Sequence, residues 1–291
     1  MTIDGERQAR SLTVSADLPT YGVPSVTDRP TLPPPSNRLS EAPAASVDGE
    51  PAHFCGGQVK PKDLSTVFQP IVHLHTGQLF AYETLVRCAV PGFAPTTLFE
   101  RADVEHSVGR LGRMIREIAV PLSAGTPVFF NLHPNELKER WLVRPDDPIF
   151  SHDHDIYLEI TESVPITHFN LCMSVLREVC GRSGAHLVID DLGAGYSNLK
   201  LIADLEPTVV KLDRALVQDL DRKPRQQTLV AIVVHLCSEL GATVVAEGIE
   251  TYDEFRAVCD CGAQYGQGYL FARPSFPMPP ITWPPPPSAS P

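Results

Sequence analysis

The sequence predicts a parallel α/β fold, a closed (β/α)8 barrel rather than an open doubly wound sheet. Three observations predict it. Short apolar, β-prone runs recur eight times between residues 66 and 271. Helix-like stretches fall between most of them from the second run onward, the alternation expected of parallel strands joined by crossover helices. No glycine-rich dinucleotide turn follows the first run, and this favours closure over the open sheet.

The runs are TVFQPIVHL (66–74), LFAYETLVRC (79–88), PVFFNLHP (127–134), DIYLEITES (155–163), HLVIDDLG (186–193), TVVKLD (208–213), TVVAEGIE (243–250) and AQYGQGYLF (263–271). LFERADVEHSVGRLGRMIREIAVPL and QQTLVAIVVHLCSELG are the clearest helices, with apolar residues three and four apart. Gly241 and Gly262 follow two helices where a left-handed cap is expected. No internal repeat is visible.

Residues 1–60 lack hydrophobic periodicity and are rich in Pro, Ser, Ala and Asp, so they read as a disordered tail. From Arg273 the chain turns proline-dense again, and 275–291 reads as a second, extended tail ending WPPPPSASP. Either tail offers a docking segment for a protein partner, but solvation is the stronger reading of both. The folded domain is expected over 62–274.

A 43% hydrophobic content suffices for a sizeable core, while a net charge of −11 argues against a sequence-independent grip on nucleic acid and leaves room for a small anionic ligand held by local cations. No apolar run approaches the roughly 18 residues a membrane helix needs, and MTIDGERQAR has no apolar leader segment. Seven cysteines lack metal-ligand spacing, Cys259 and Cys261 being one residue apart rather than two. Cys172, Cys180 and Cys237 fall in helical patterns and read as reduced core. A cytoplasmic, membrane-free protein is expected.

The strands turn polar at their C-terminal ends: Glu83, Asn131, Glu159 with Glu162, Asp190 with Asp191, Lys211 with Asp213, Glu247 with Glu250, and Gln267. In a barrel these ends share the face that carries catalysis. Any one acid alone reads better as a helix cap or an exposed terminus; seven strands in succession do not. Carboxylates so close repel unless cations neutralise them, and hard oxygen donors with one amide suit Mg²⁺ or Mn²⁺. Asp190-Asp191 followed by Gly193 and Gly195 fits a bridged metal pair about 4 Å apart, the device for in-line displacement at phosphorus. Taken alone it fits a turn and cap equally well. Lys211, a cation on an apolar strand, reads as a structural ion pair or as an aid to proton transfer or phosphate binding. In AYETLVRC, alternation puts Glu83, Leu85 and Arg87 on one face, and Arg87 presents a fork suited to phosphate. His152-Asp153-His154-Asp155 precedes a strand on the opposite face and reads as a solvated turn. His73 and His75 read as exposed hairpin residues.

These motifs, with FQPIVHLHTGQLFAYETLVR, FFNLHP, YLEITES, VIDDLGAGYSNL, VVKLD, VVAEGIE and YGQGYLFARP in order and spacing, resemble the EAL-domain phosphodiesterases. The resemblance covers roughly residues 62–274. It implies a TIM-like barrel with an antiparallel first strand, two Mg²⁺ or Mn²⁺ ions, and hydrolysis of cyclic di-GMP to linear pGpG. Glu83, Asn131, Glu159 and Asp190 match the first metal's ligands; Asp190, Asp191 and Glu247 match the second's. Lys211 matches the lysine that orients or deprotonates the attacking water, and Gln69, Leu85, Arg87 and Gln267 fit substrate contact. Glu162 matches the glutamate anchoring the loop after Asp191, through which the family couples dimer contacts to metal binding, so a regulated homodimer is implied.

The sequence departs from the family pattern at several positions. Thr84 replaces the signature alanine, and alternation turns it away from the site. His133 stands where a small residue is common, and Leu192, Ala194 and Asn198 replace Phe, Thr and Ser in the loop. These substitutions bear on rate or dimer coupling. No cyclase signature and no sensor domain is recognisable. A non-catalytic cyclic di-GMP receptor acting through partners is the alternative, and an unrelated barrel metalloenzyme acting on sugar phosphates a third.

Overall fold

The computed structural model describes residues 55–161, 169–194 and 199–283. Each apolar run becomes a strand: β1 Leu64–His73, β2 Leu79–Cys88, β3 Val128–Asn131, β4 Ile156–Thr161, β5 His186–Leu192, β6 Val209–Leu212, β7 Thr243–Ala246 and β8 Tyr265–Gly266. They close a barrel in chain order. β1 is antiparallel to both β2 and β8, and every other neighbouring pair is parallel. The reason is local: β1 and β2 are joined by a short turn with Gly77 at φ +70°, and a tight turn can join only antiparallel strands. The later strands are joined through α1 Pro95–Val104, α2 Val108–Leu122, α3 Phe169–Ser183, α4 Leu199–Leu205, α5 Arg214–Val217, α6 Pro224–Glu239 and α7 Tyr252–Asp260.

Strand alternation builds two cores. Ile71, Ala81, Phe129, Tyr157, Val188, Val209 and Val245 fill the lower barrel interior, with Phe129 stacked on Tyr157 at 4.3 Å between centroids. Phe68, Tyr82, Phe130, Leu158, Ile189, Val210 and Val244 point outward under the helices. The dry, aromatic floor leaves the layer above it as the first interior place where polar side chains can meet.

Under α2 lies an ion-pair cluster that composition did not mark. Arg116 is fully buried, with Nη1 2.6 Å from Glu136 Oε1 and Nη2 2.8 Å from Asp147 Oδ2. Burial pushes Glu136 up to about 7 despite the guanidinium beside it.

The folded part extends past both edges read from composition. Cys55 and Val59 are buried against Leu64, Leu98 and Leu111. Ser275 pairs with Phe68, and Met278, Ile281 and Trp283 pack on the main core. Proline density hid these interleaved apolar residues, which cover barrel surface that a solvated tail would leave bare. Residues 1–54 and 284–291 lie outside the described residues. His152 also differs from the solvated turn expected of it. Its side chain is buried with Nε2 2.9 Å from the Thr126 carbonyl, and Asp153 accepts a hydrogen bond from the Gly125 amide. All seven cysteines are free.

Candidate active site

One step along each strand above the aromatic floor, the inward positions become polar. β1 supplies Gln69, paired in register with Glu83 of β2. Asn131 of β3 pairs with Glu159 of β4, and β5 supplies Asp190. Lys211 comes from β6, Glu247 follows β7, and Gln267 follows β8.

Lys211 occupies the centre. Its Nζ lies 2.6 Å from Glu159 Oε1, 2.5 Å from Glu247 Oε1, 3.1 Å from Asp190 Oδ1 and 3.6 Å from Glu83 Oε1. Four carboxylates surround one ammonium, so the cluster keeps excess negative charge in a poorly solvated interior. The electrostatics record that excess. Burial pushes Glu159 well above the usual carboxylate range and Glu247 up to about 8. Burial, reinforced by Asp190, pushes Asp191 up to about 6. Lys211 is held well above its ordinary value because the surrounding acids outweigh its desolvation.

Adjacent residues on a regular strand face opposite ways, yet Asp190 and Asp191 both reach this site. A register irregularity between Ile189 and Leu192 interrupts the β5–β6 ladder, and Asp191 has φ +58°. The bulge re-aims the second carboxylate, at the cost of a left-handed backbone that Asp tolerates better than most residues. Gly193 follows with φ +105°, where a Cβ would lie 2.4 Å from Leu216 Cδ1.

The donor set fits hard divalent cations. Asp190, Asp191 and Glu247 each offer an oxygen within 4.8 Å of the others. Glu159 Oε2 and Gln267 Oε1 are buried without a hydrogen-bond partner, and Glu159 Oε1 and Asp190 Oδ1 meet Lys211 without hydrogen-bond geometry. Glu83 is oriented from two sides, accepting from Gln267 Nε2 at 2.6 Å and Asn131 Nδ2 at 3.3 Å. Every donor atom in the set is oxygen, as Mg²⁺ and Mn²⁺ prefer.

Two clefts, of about 390 Å³ and about 270 Å³, meet over Glu83, Asp190 and Asp191. The first is lined by Leu85, Arg87, Phe99, His133 and Thr161; the second by Gln69, Arg214, Gln267 and Tyr269. Arg87 donates to its neighbour's carbonyl, Val86 O, and makes no ion pair among the described residues. His133 Nδ1 accepts from the Asn135 amide, burial lowers its pKa, and its ring lies 6.3 Å from Phe99 at 7° between planes. Thr84 is buried on the outer face with Oγ1 unpartnered.

Two polar strand ends have local explanations instead. Asp213 caps α5 by accepting from the Ala215 amide, and Glu250 pairs with Arg214 at 3.0 Å. Leu192 is core, Ala194 is exposed, and Glu162 and Gly195–Asn198 lie outside the described residues. Phe99, Arg214 and Tyr269 were not singled out from sequence. They sit on helices or loops whose local pattern differs in nothing from an ordinary surface.

The EAL domain family model matches residues 57–274. Two Pseudomonas aeruginosa proteins, cyclic di-GMP phosphodiesterase PA2567 and cyclic di-GMP phosphodiesterase RocR, are 32% identical over 72% and 30% identical over 73% of this chain. The match spans only 38% and 57% of their own lengths. Among solved structures, the manganese and cyclic di-GMP complex of Klebsiella pneumoniae BlrP1 superposes with TM-score 0.64 at 30% identity, covering 79% of this chain and 57% of that one. With the family model matching most of the chain and relatives at 30% identity or more over more than two thirds of it, the chain belongs to the EAL domain family.

Proposed function

We propose that this chain is a metal-dependent phosphodiesterase that hydrolyses cyclic di-GMP to linear pGpG. The observation that carries the proposal is the convergence of Asp190, Asp191 and Glu247 oxygens within 4.8 Å, beside a buried Lys211 and beneath two joined clefts.

Glu83, Asn131, Glu159 and Asp190 would hold one Mg²⁺ or Mn²⁺; Asp190, Asp191 and Glu247 would hold a second. Bound there, the ions would supply a water of lowered pKa and neutralise charge developing on the phosphodiester. The chain's own residues do the rest. Lys211, held as a cation, would hydrogen-bond and orient the attacking water beside Glu159 and Glu247. Arg87 offers paired donors to phosphate oxygens, and Leu85 forms the apolar wall beside it. Gln69 and Gln267 border the opposite cleft, where they meet the substrate and steady Glu83. Glu162 would anchor the loop after Asp191.

The protein is proposed to work in the cytoplasm; no helix among the described residues is long and apolar enough to cross a membrane. A homodimer is proposed through the loop after Asp191, and the exposed face of α6 offers it a second apolar surface. Leu229 and Ile232 are 50% and 60% exposed on that helix. Arg225 and Glu239 lie about two turns to either side of Ile232, so antiparallel pairing across a two-fold axis sets each arginine against the partner's glutamate. Chromatographic detection of pGpG after incubation with Mg²⁺ and cyclic di-GMP tests the activity. Its absence across metals and pH would overturn it.

A further inference from the structure

The family match ends at residue 274, yet the ordered chain continues. Ser275–Trp283 crosses the barrel wall at its weakest joint. β8 is two residues long and pairs with β1 only at Val72 and His73, leaving the upper edge of β1 without a strand partner on that side. Ser275 fills that gap: its amide donates to Phe68 O at 3.1 Å, and the Phe68 amide donates to Ser275 O at 2.9 Å.

The segment is pinned further along. The buried Tyr82 hydroxyl donates to Pro279 O at 3.0 Å, and the Thr282 amide donates to Phe271 O at 2.8 Å. Trp283 stacks on Phe271 at 6.0 Å and 16°, and meets Phe255 edge-on at 5.6 Å. Its indole also lies on the β1–β2 turn, where a Cβ on Gly77 would come within 2.6 Å of Trp283 Cδ2.

The seam so closed leads into the acid cluster. Gln69 follows Phe68 on β1, and its Nε2 donates to Ala272 O at 3.0 Å, three residues before Ser275. Gln69 Oε1 accepts from Gln267 Nε2 at 3.1 Å, and the same Nε2 donates to Glu83 Oε2 at 2.6 Å. The two links made by Gln69 depend on the spacing between β1 and the residues after β8, and the third passes from Gln267 to Glu83 on β2. Gln267 Oε1 makes no hydrogen bond of its own, so nothing else fixes the amide's orientation.

We propose that Ser275–Trp283 is a positioning strap: it holds the β1–β8 seam closed, fixes Gln69 and Gln267, and through them sets the Glu83 carboxylate for a divalent cation. The inference rests on the metal-binding reading of the site and not on the identity of the nucleotide. Trp283 and Tyr82 are the positioning residues, and neither lines a cleft.

The test uses the full chain. Hydrogen–deuterium exchange of the metal-free protein reads the seam directly. Trp283→Ala and the milder Tyr82→Phe are expected to raise exchange in 66–72 and 264–270 while leaving α2 unchanged. Calorimetry with Mn²⁺ is expected to show affinity about tenfold weaker in Trp283→Ala, the scale of loss when a ligand's orienting partner is disturbed. In a Gln267→Ala background the same substitution is expected to add nothing. Unchanged exchange at the seam, undiminished Mn²⁺ affinity, or a full further loss in the Gln267→Ala background would each overturn the strap. Failure of the wild type to hydrolyse cyclic di-GMP would overturn the phosphodiesterase reading alone, because the exchange experiment needs neither metal nor nucleotide.

Discussion

Lys211 Nζ lies 2.6 Å from Glu159 Oε1 at the centre of the barrel, with both side chains essentially inaccessible to water. Neither charge is affordable there without the other, and three further acids depend on the same ammonium. Lys211→Met is therefore expected to abolish hydrolysis and to destabilise the metal-free protein by about 3–5 kcal/mol, the cost of leaving buried partners uncompensated. Urea denaturation with and without Mn²⁺ checks this. Added Mn²⁺ is expected to recover part of the stability and none of the turnover.

The pH dependence of the metal-free protein follows from the same cluster. Glu247 at about 8 and Asp191 at about 6 stand above their ordinary values of 4.5 and 3.8. Between those limits the folded chain holds protons that the unfolded chain has released. The contribution of these two groups to stability consequently falls as pH rises from about 4 to about 8. Cations compete with these protons, so Mn²⁺ is expected to raise the melting temperature more at pH 8 than at pH 6. Scanning calorimetry at both pH values, with chelator and with Mn²⁺, is the measurement. Stability that rises over this window in chelator would contradict the charge assignment.

Thr84→Ala restores the family's signature residue. The Thr84 hydroxyl is buried and unpartnered on the outer face of β2, so its removal relieves a desolvation cost. A change within about 1 kcal/mol in chemical denaturation is expected, the relief at the hydroxyl being offset by loss of the buried methyl, with unchanged turnover. A large change in activity would mean that Thr84 reaches the site.

Arg116 fixes the outer wall under α2. Arg116→Met leaves Glu136 and Asp147 buried without their cation, and a loss of about 3–5 kcal/mol is expected. Glu136→Gln keeps an acceptor for Arg116 and removes a carboxyl already raised by burial, so it is expected to cost far less. Denaturation midpoints compare the two.

Ile232→Asp places a charge at the proposed two-fold axis of α6. Sedimentation velocity is expected to show a dimer for the wild type and a monomer for the variant, with little change in melting temperature because the side chain is 60% exposed. A wild-type monomer at all concentrations would contradict the homodimer.

The barrel was legible because seven of its eight strands declared themselves twice, as an apolar run and as a polar end. Glu83, Glu159 and Lys211 stood out as charges within β-prone segments, where burial without a partner is expensive. Their convergence on one ammonium was not legible, since strand shear decides which inward residues share a layer. Asp190-Asp191 was visible as a pair, but the bulge that turns both inward is a backbone feature with no compositional mark. Arg116 falls on the inward arc of α2 with Gly112 and Ala119, a cue a helical projection would have offered. The strap was misread because proline density dominated Phe276, Met278, Ile281 and Trp283. Two glycines in YGQGYLF show the same limit. A Cβ at Gly268 would lie 2.0 Å from Ile249 O, a backbone approach that only the folded chain displays.

The central claim is tested most directly by incubating cyclic di-GMP with the wild type and with Glu83→Ala, across Mg²⁺ and Mn²⁺ and a range of pH, and quantifying pGpG. The account predicts metal-dependent pGpG formation by the wild type and none by Glu83→Ala. Cyclic di-GMP bound by the wild type with no pGpG under any of these conditions would contradict it, and would mark the protein as a receptor instead.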